Sequence, residues 1–245
     1  MELALNGDCA SRGGFSVAFT IFCISNLSVF SQNLLSNGNF ETDGGSFADW
    51  DISHSASMPS YSGPTIASGG FNDPDYARFM YESEGNDVLS QSVPTTPGAF
   101  YDISFYAEDG AGHNFETAFG FGSFSVDLRS AFNIGPGQWL AGWTNFNFIV
   151  MATQTESDLS FTVAADVGSE FGVDDITVVA VPELQAVVAG RRLEMTVTNS
   201  NASVVLQVST NLVNWVDVYT NTAPFTFTNS SPNLPRAFYR VKVSF

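Results

Sequence analysis

The 245-residue chain carries eight Lys and Arg against 25 Asp and Glu, a formal net charge of −17, and 44% of it is hydrophobic. The charge excludes binding of nucleic acid or an anionic membrane through a basic patch, and the apolar content excludes a disordered acidic tail. With 23 Phe, 21 Gly and only 13% charged residues, the composition predicts many short strands and turns rather than long surface helices.

Residues 13–31 read GGFSVAFTIFCISNLSVFS, an apolar run that follows Arg12 and ends in small residues before Gln32, as a secretory signal does. The run is too short for a span, which needs about 20 predominantly apolar residues. Glu2 and Asp8 suit a signal poorly, and an N-terminal anchor is the alternative reading. Cys9 and Cys23 both lie in this segment. A mature chain from Gln32 therefore has no thiol for a disulfide or for cysteine catalysis.

Beyond the leader, Phe100–Ala107 (FYDISFYA) alternates, with Tyr101, Ile103 and Phe105 on one parity and Asp102 and Ser104 on the other. Similar runs cover 121–128, 144–151, 159–164 and 173–181, separated by turn formers such as Pro97-Gly98 and Gly135-Pro136-Gly137. No stretch keeps a 3.6-residue apolar repeat for three turns, so we expect an all-β antiparallel sandwich of about eight strands. The composition shifts at Val181-Pro182-Glu183. Residues 32–182 hold 20 acidic residues against Arg78 and Arg129, a balance of −18, whereas 183–245 hold three against five basic ones, a balance of +2. We place a domain boundary there. Strands are expected in the second domain at 193–197, 203–209, 215–219, 225–228 and 237–244. A small β domain of about 60 residues is marginal as an independent core.

Four blocks carry a resemblance: NLLSNGNFE at 33–41, followed by Trp50; LSQSVPTTPGAFYDISFYA at 89–107; GWTNFNFIV at 142–150; and FGVDDITV at 171–178. In order and spacing they resemble the galactose-binding-like jelly rolls of the carbohydrate-binding module families found beside xylanases and glucanases (families 4, 9 and 22). The resemblance covers about 150 residues. The tail pattern STNLVNWVDVY resembles small β-modules at the C-termini of exported proteins of environmental bacteria.

The resemblance implies that the first and last strands are neighbours and that acidic residues there hold a structural calcium ion with backbone carbonyls. Carried over, Glu41 and Asp174 are the principal metal ligands, with Asp175 and Asn37, in the Asn37-Gly38 turn, as lesser members and Glu82 or Glu84 as a further ligand. The residues support this independently: Ile176 and Val178 share a parity with Asp174, so Asp174 is expected to face inward, where a lone carboxylate is costly. For a glycan ligand the candidates are Trp139 on a turn, Tyr61 and Tyr76 in the loop-like stretch SYSGPTIASGGFNDPDYARF, Tyr81, and Arg78, which has Asp73 and Asp75 as expected partners. Trp50 and Trp143 are expected in the core. His54 and His113 fall in no metal or hydrolase spacing, and no catalytic residues are assigned.

The expected function is that of a secreted, non-catalytic carbohydrate-binding protein of bacterial type, stabilised by calcium, with a polysaccharide as partner. The alternative is a cell-surface or matrix structural protein or adhesin subunit whose partners are itself or other surface proteins.

Overall fold

The computed structural model describes residues 32–54, 63–80, 86–109, 115–131, 140, 142–165, 170–189, 192–198, 203–229 and 237–243. The leader at 1–31 and Tyr61, Tyr81, Glu82, Glu84, His113 and Trp139 lie outside these residues. Contacts divide the chain into one compact unit over Asn33–Val179 and another that includes Ala180–Phe245.

The first unit contains β1 (Asp51–His54), β2 (Thr65–Ser68), β3 (Asp75–Met80), β4 (Asn86–Pro94), β5 (Phe100–Asp109), β6 (Phe115–Phe121), β7 (Phe124–Asp127), the single helical turn α1 (Leu128–Ala131), β8 (Thr144–Met151), β9 (Glu156–Ala165) and β10 (Glu170–Ala180). They form two five-stranded sheets with orders β1-β4-β9-β6-β7 and β2-β3-β10-β5-β8. The expected antiparallel sandwich is present. Alternation works as read in β5: Tyr101, Ile103, Phe105 and Ala107 are buried while Asp102, Ser104, Tyr106 and Glu108 are partly exposed. The inward rows meet in a phenylalanine core. The Phe105 ring lies 5.1 Å from Phe119, 5.3 Å from Phe146 and 4.9 Å from Phe161, so one side chain bridges both sheets. Burying each such ring stabilises the fold by about 1.5–3 kcal/mol.

Three expectations are corrected. Residues 121–128 are not one strand, because Gly122, at φ 58°, turns the chain back between β6 and β7. The stretch read as a loop around Tyr61 and Tyr76 contains β2 and β3, paired in register from Thr65↔Arg78 to Ser68↔Asp75. Trp50 is in the core as expected, 5.5 Å from Phe40, but Trp143 is half-buried at the foot of β8, edge-on to Tyr76.

The first sequence block runs beside the end of β10, where the Leu34 N–H donates to the Val178 carbonyl and the Ile176 N–H to the Gly38 carbonyl. The first and last segments of the unit are therefore neighbours.

The second unit has β11 (Glu183–Ala189), β12 (Arg192–Thr198), β13 (Ser203–Ser209), β14 (Val216–Thr222), β15 (Phe225–Asn229) and β16 (Phe238–Val243). Two three-stranded sheets, β11-β12-β15 and β14-β13-β16, enclose a core that includes Leu193, Met195, Val197, Leu206, Phe225 and Tyr239. Strand β11 was absent from the sequence reading.

Candidate functional site

Two features of the first unit carry chemistry, and both are built around β10. The first is a cradle of oxygens. Asp174 is fully buried, though not for the reason its parity suggested. Phe171 and Val173 face the core, and so do Ile176 and Val178, so the alternation changes phase between them. Asp175, at φ 49°, is the residue that absorbs the shift. Asp174 shares its parity with Gly172, on the outer side of the strand, and is buried by the loop that joins β2 to β3.

That loop is tied down by carboxylates. Asp174 Oδ2 accepts the Phe71 N–H at 2.7 Å and Oδ1 accepts the Asp175 N–H at 2.7 Å. Asp175 Oδ2 accepts the Asn72 amide at 2.6 Å, and Glu41 Oε1 accepts the Asp75 N–H at 2.8 Å. Glu41 and Asp174 thus converge on one loop, which the sequence reading had not linked to them. Around Gly70, Asp174 Oδ2 and the carbonyl oxygens of Asp73 and Asp75 all lie 2.6 Å from the position a Cβ would occupy. That position is one bond from Gly70 Cα, so the three oxygens pack against the bare glycine backbone and leave no room for a side chain there. Among the described residues no three His, Cys, Asp or Glu side chains are grouped so as to hold a metal ion. Burial pushes the Asp174 carboxyl up to about 7, against its two backbone hydrogen bonds and with smaller contributions from Asp175 and Asp73. A cation beside it would offset that cost.

Asn37 does not fit this set. Its amide nitrogen donates to the Ser46 and Ala48 carbonyls and its oxygen accepts the Thr42 N–H. The side chain pins the 37–50 loop instead.

The second feature is the outer face of the β2-β3-β10-β5-β8 sheet. A Cβ on Gly172 would come within 2.9 Å of the Tyr76 ring and 3.0 Å of Glu108 Cγ, so the missing side chain is what lets both lie across β10. The Tyr76 ring centroid is 5.2 Å from that of Trp143, with the planes at 87°. Tyr76 is only 6% exposed, which corrects its reading as an exposed loop aromatic. Its hydroxyl donates to Glu170 Oε1 at 3.4 Å, and Arg78 lies 3.7 Å from the same oxygen. Arg78 thereby pairs with Glu170 rather than with Asp73 or Asp75, because its strand sets it opposite Gly172, two residues from Glu170. Arg78 Nε and the facing Thr65 Oγ1 are buried without a hydrogen-bond partner among the described residues. Burial, with Glu170 and Glu108 adding to it and Arg78 opposing, pushes the Tyr76 phenol up to about 12. Burial, then Glu170, raises Glu108. Further along the face Phe71 stacks on Tyr106, centroids 3.5 Å apart and planes at 13°, and Asn147 donates to Asp102 at 2.5 Å. Phe71, Tyr106, Trp143 and Glu170 were missed as site residues. Tyr106 and Glu170 had only an outward place on strands whose pairing spacing does not reveal, and Phe71 and Trp143 lie outside the strands.

No protein-family model matches the chain, and no curated protein matches it. Among solved structures it is similar to a family 61 carbohydrate-binding module in complex with β-1,4-galactotriose, at 18% identity and TM-score 0.49, covering 62% of this chain and all of that one. It is also similar to a family 22 xylan-binding domain from Paenibacillus barcinonensis, at 16% identity and TM-score 0.41, covering 62% and 96%. A third similar structure is the enzymatically active domain of a bacteriophage CBA120 tailspike protein, at 12% identity and TM-score 0.43, covering 61% and 21%.

Proposed function

We propose that the first unit binds an uncharged glycan on the outer face of the β2-β3-β10-β5-β8 sheet, without turnover, and that a calcium ion held near Glu41 and Asp174 stabilises it. The observation that supports the reading is the group at Gly172: an aromatic pair, Tyr76 and Trp143, beside carboxylates and one guanidinium. Aromatic rings pack on the apolar faces of sugars, and carboxylates and Arg pair with hydroxyls. The buried Arg78 Nε and Thr65 Oγ1, without partners among the described residues, are polar groups that ligand hydroxyls would satisfy. The acidity of residues 32–182 favours a neutral glycan over uronate or sulfate.

Retention on insoluble polysaccharides and on a glycan array, with calcium present, tests this. Wild type should be retained, and Trp143→Ala should bind about tenfold more weakly, the scale of one aromatic contact. A folded wild type retained by no glycan overturns the reading. Reducing-end release from a bound polysaccharide that vanishes in Glu170→Gln would replace binding by hydrolysis. For the cation, chelator should lower Tm in wild type and leave Asp174→Ala unaffected. Identical melting of wild type with and without chelator removes calcium from the account. We also propose export, read from the 13–31 run; a mature N-terminus at Gln32 is the expected finding in secreted material.

A second reading has its own observation. Strand β14 is exposed along its whole length and lies at a sheet edge, its first residue Val216 being 62% exposed and Val213 just before it 77%. Such an edge suits strand addition in a surface assembly, and concentration-dependent sedimentation of the chain would favour it.

A further inference from the structure

On β13, Val204 and Leu206 fill the core of the second unit, so the alternate residues Val205, Gln207 and Ser209 lie on the outer face of the β14-β13-β16 sheet. Register sets Gln207 between Asp217 on β14 and Arg240 on β16, and the three side chains are joined. Gln207, only 8% exposed, donates from Nε2 to Asp217 Oδ1 at 2.5 Å and accepts the Arg240 Nε–H on Oε1 at 2.7 Å. The guanidinium carbon of Arg240 lies 4.2 Å from the centroid of the Trp215 ring. That ring is itself anchored, because its Nε1–H donates to the Leu212 carbonyl at 3.2 Å. Arg240 is thus held from two sides, by an amide at Nε and by an aromatic ring, and both holds leave its two terminal nitrogens as donors.

A cation fixed in this way ordinarily meets a carboxylate, and the second unit supplies none. Residues 183–245 contain three acidic side chains. Glu183 and Glu194 stand on the β11-β12-β15 sheet, and Asp217 is turned to the Gln207 amide, with β13 between it and Arg240. Among the described residues Arg240 forms no ion pair. Tyr239 and Val241 face the core, so Lys242 shares the outer side of β16 with Arg240, and it is exposed.

We infer that Arg240, with Lys242 beside it, is a carboxylate seat whose ligand is a uronate of an acidic polysaccharide. A guanidinium presents its donors in a rigid fork that matches a carboxylate bidentately, and fixing it beforehand reduces the ordering cost of the pair. The slightly basic range 183–245 suits an anion as the acidic first unit does not. The surroundings favour a sugar acid over an acidic peptide. Thr220 and Thr222 share the outer face, opposite Val205 and Ser203, and with the half-buried Trp215 they offer hydroxyls and an apolar flank to a pyranose ring. The seat is separate from the neutral-glycan face of the first unit and does not rest on it.

The full chain is titrated by calorimetry with oligogalacturonate and with the same oligomer after reduction of its carboxylates to alcohols. Salt is held at about 0.1 M, where a Debye length of about 10 Å limits repulsion by the acidic range 32–182. Wild type should bind the uronate form and not the reduced form. Arg240→Lys keeps the charge but not the fork, and should bind about ten- to hundredfold more weakly. In wild type the Arg240 Nε–H resonance, assigned through the backbone, should shift on adding the uronate form, a reading that needs no variant to keep the native fold. Oligoglutamate of equal charge should bind more weakly than the uronate. Absence of uronate binding, equal binding of the reduced form, an unmoved Arg240 resonance or full affinity in Arg240→Lys would each overturn the inference. Oligoglutamate binding as tight or tighter would make the ligand an acidic peptide and overturn it as well.

Discussion

At the scale of single residues, Tyr76 shows how the site modifies ordinary chemistry. Burial and two nearby carboxylates disfavour its phenolate, which raises its pKa from 10.0 to about 12. The folded state then holds a proton that the unfolded chain releases between these values. The contribution of Tyr76 to stability is accordingly complete below pH 10 and is lost as pH rises toward 12. An ultraviolet titration should show one tyrosine ionising after the others, and Glu170→Gln should bring it earlier. A single transition near pH 10 for all tyrosines contradicts the burial seen here. Asp174 shows the limit of reading side-chain direction from sequence: its burial was foreseen, but the parity argument for it failed at the turn taken by Asp175. A bulge leaves no mark in an apolar pattern, because the residues on either side of it remain apolar. Phe71 and Tyr106 were invisible for a related reason: a stack between a loop and a strand 35 residues apart depends on pairing, which spacing does not reveal.

At the scale of elements, legibility followed exposure. Strand β5 has one face in the core and one in solvent, and its alternation was plain. Strand β3 has buried neighbours, Tyr76 and Ala77, side by side, because its outer face is covered by the site as well as its inner face by the core. It therefore lost its period and read as loop. The same covering makes Gly172 critical. A methyl group there would meet the Tyr76 ring at 2.9 Å and Glu108 at 3.0 Å, tighter than either can accept without moving. Gly172→Ala should cost about 1–3 kcal/mol, as overpacking does, and should weaken glycan retention more than Trp143→Ala because it displaces two site residues at once. Unchanged melting and unchanged retention would show that Tyr76 does not lie across β10. The core offers a contrast. Phe105→Ala should cost about 3–5 kcal/mol, seen as a lowered denaturation midpoint, while glycan affinity at a temperature where the variant remains folded should stay at the wild-type value.

At the scale of the whole molecule, the net charge of −17 resolves into a strongly acidic residue range, 32–182, and a slightly basic one, 183–245. Only Arg78 and Arg129 accompany the 20 acidic residues of the first range, so most of its carboxylates have no opposite charge within the unit. Their mutual repulsion weakens the fold in a way that salt relieves, since the Debye length falls from about 30 Å at 0.01 M to about 10 Å at 0.1 M. The calcium proposed near Glu41 and Asp174 would act differently, because it needs particular oxygens rather than a general field. Two responses are therefore separable in one melting series. Sodium chloride should raise Tm gradually, in wild type and Asp174→Ala alike. Calcium added at constant ionic strength should give wild type a further, saturable rise that magnesium does not reproduce, because magnesium demands octahedral geometry at about 2.0–2.1 Å and sheds water reluctantly. Asp174→Ala should lack that second rise. If sodium at matched ionic strength reproduces the whole calcium effect, the stabilisation belongs to the charge of the unit and not to a seat within it.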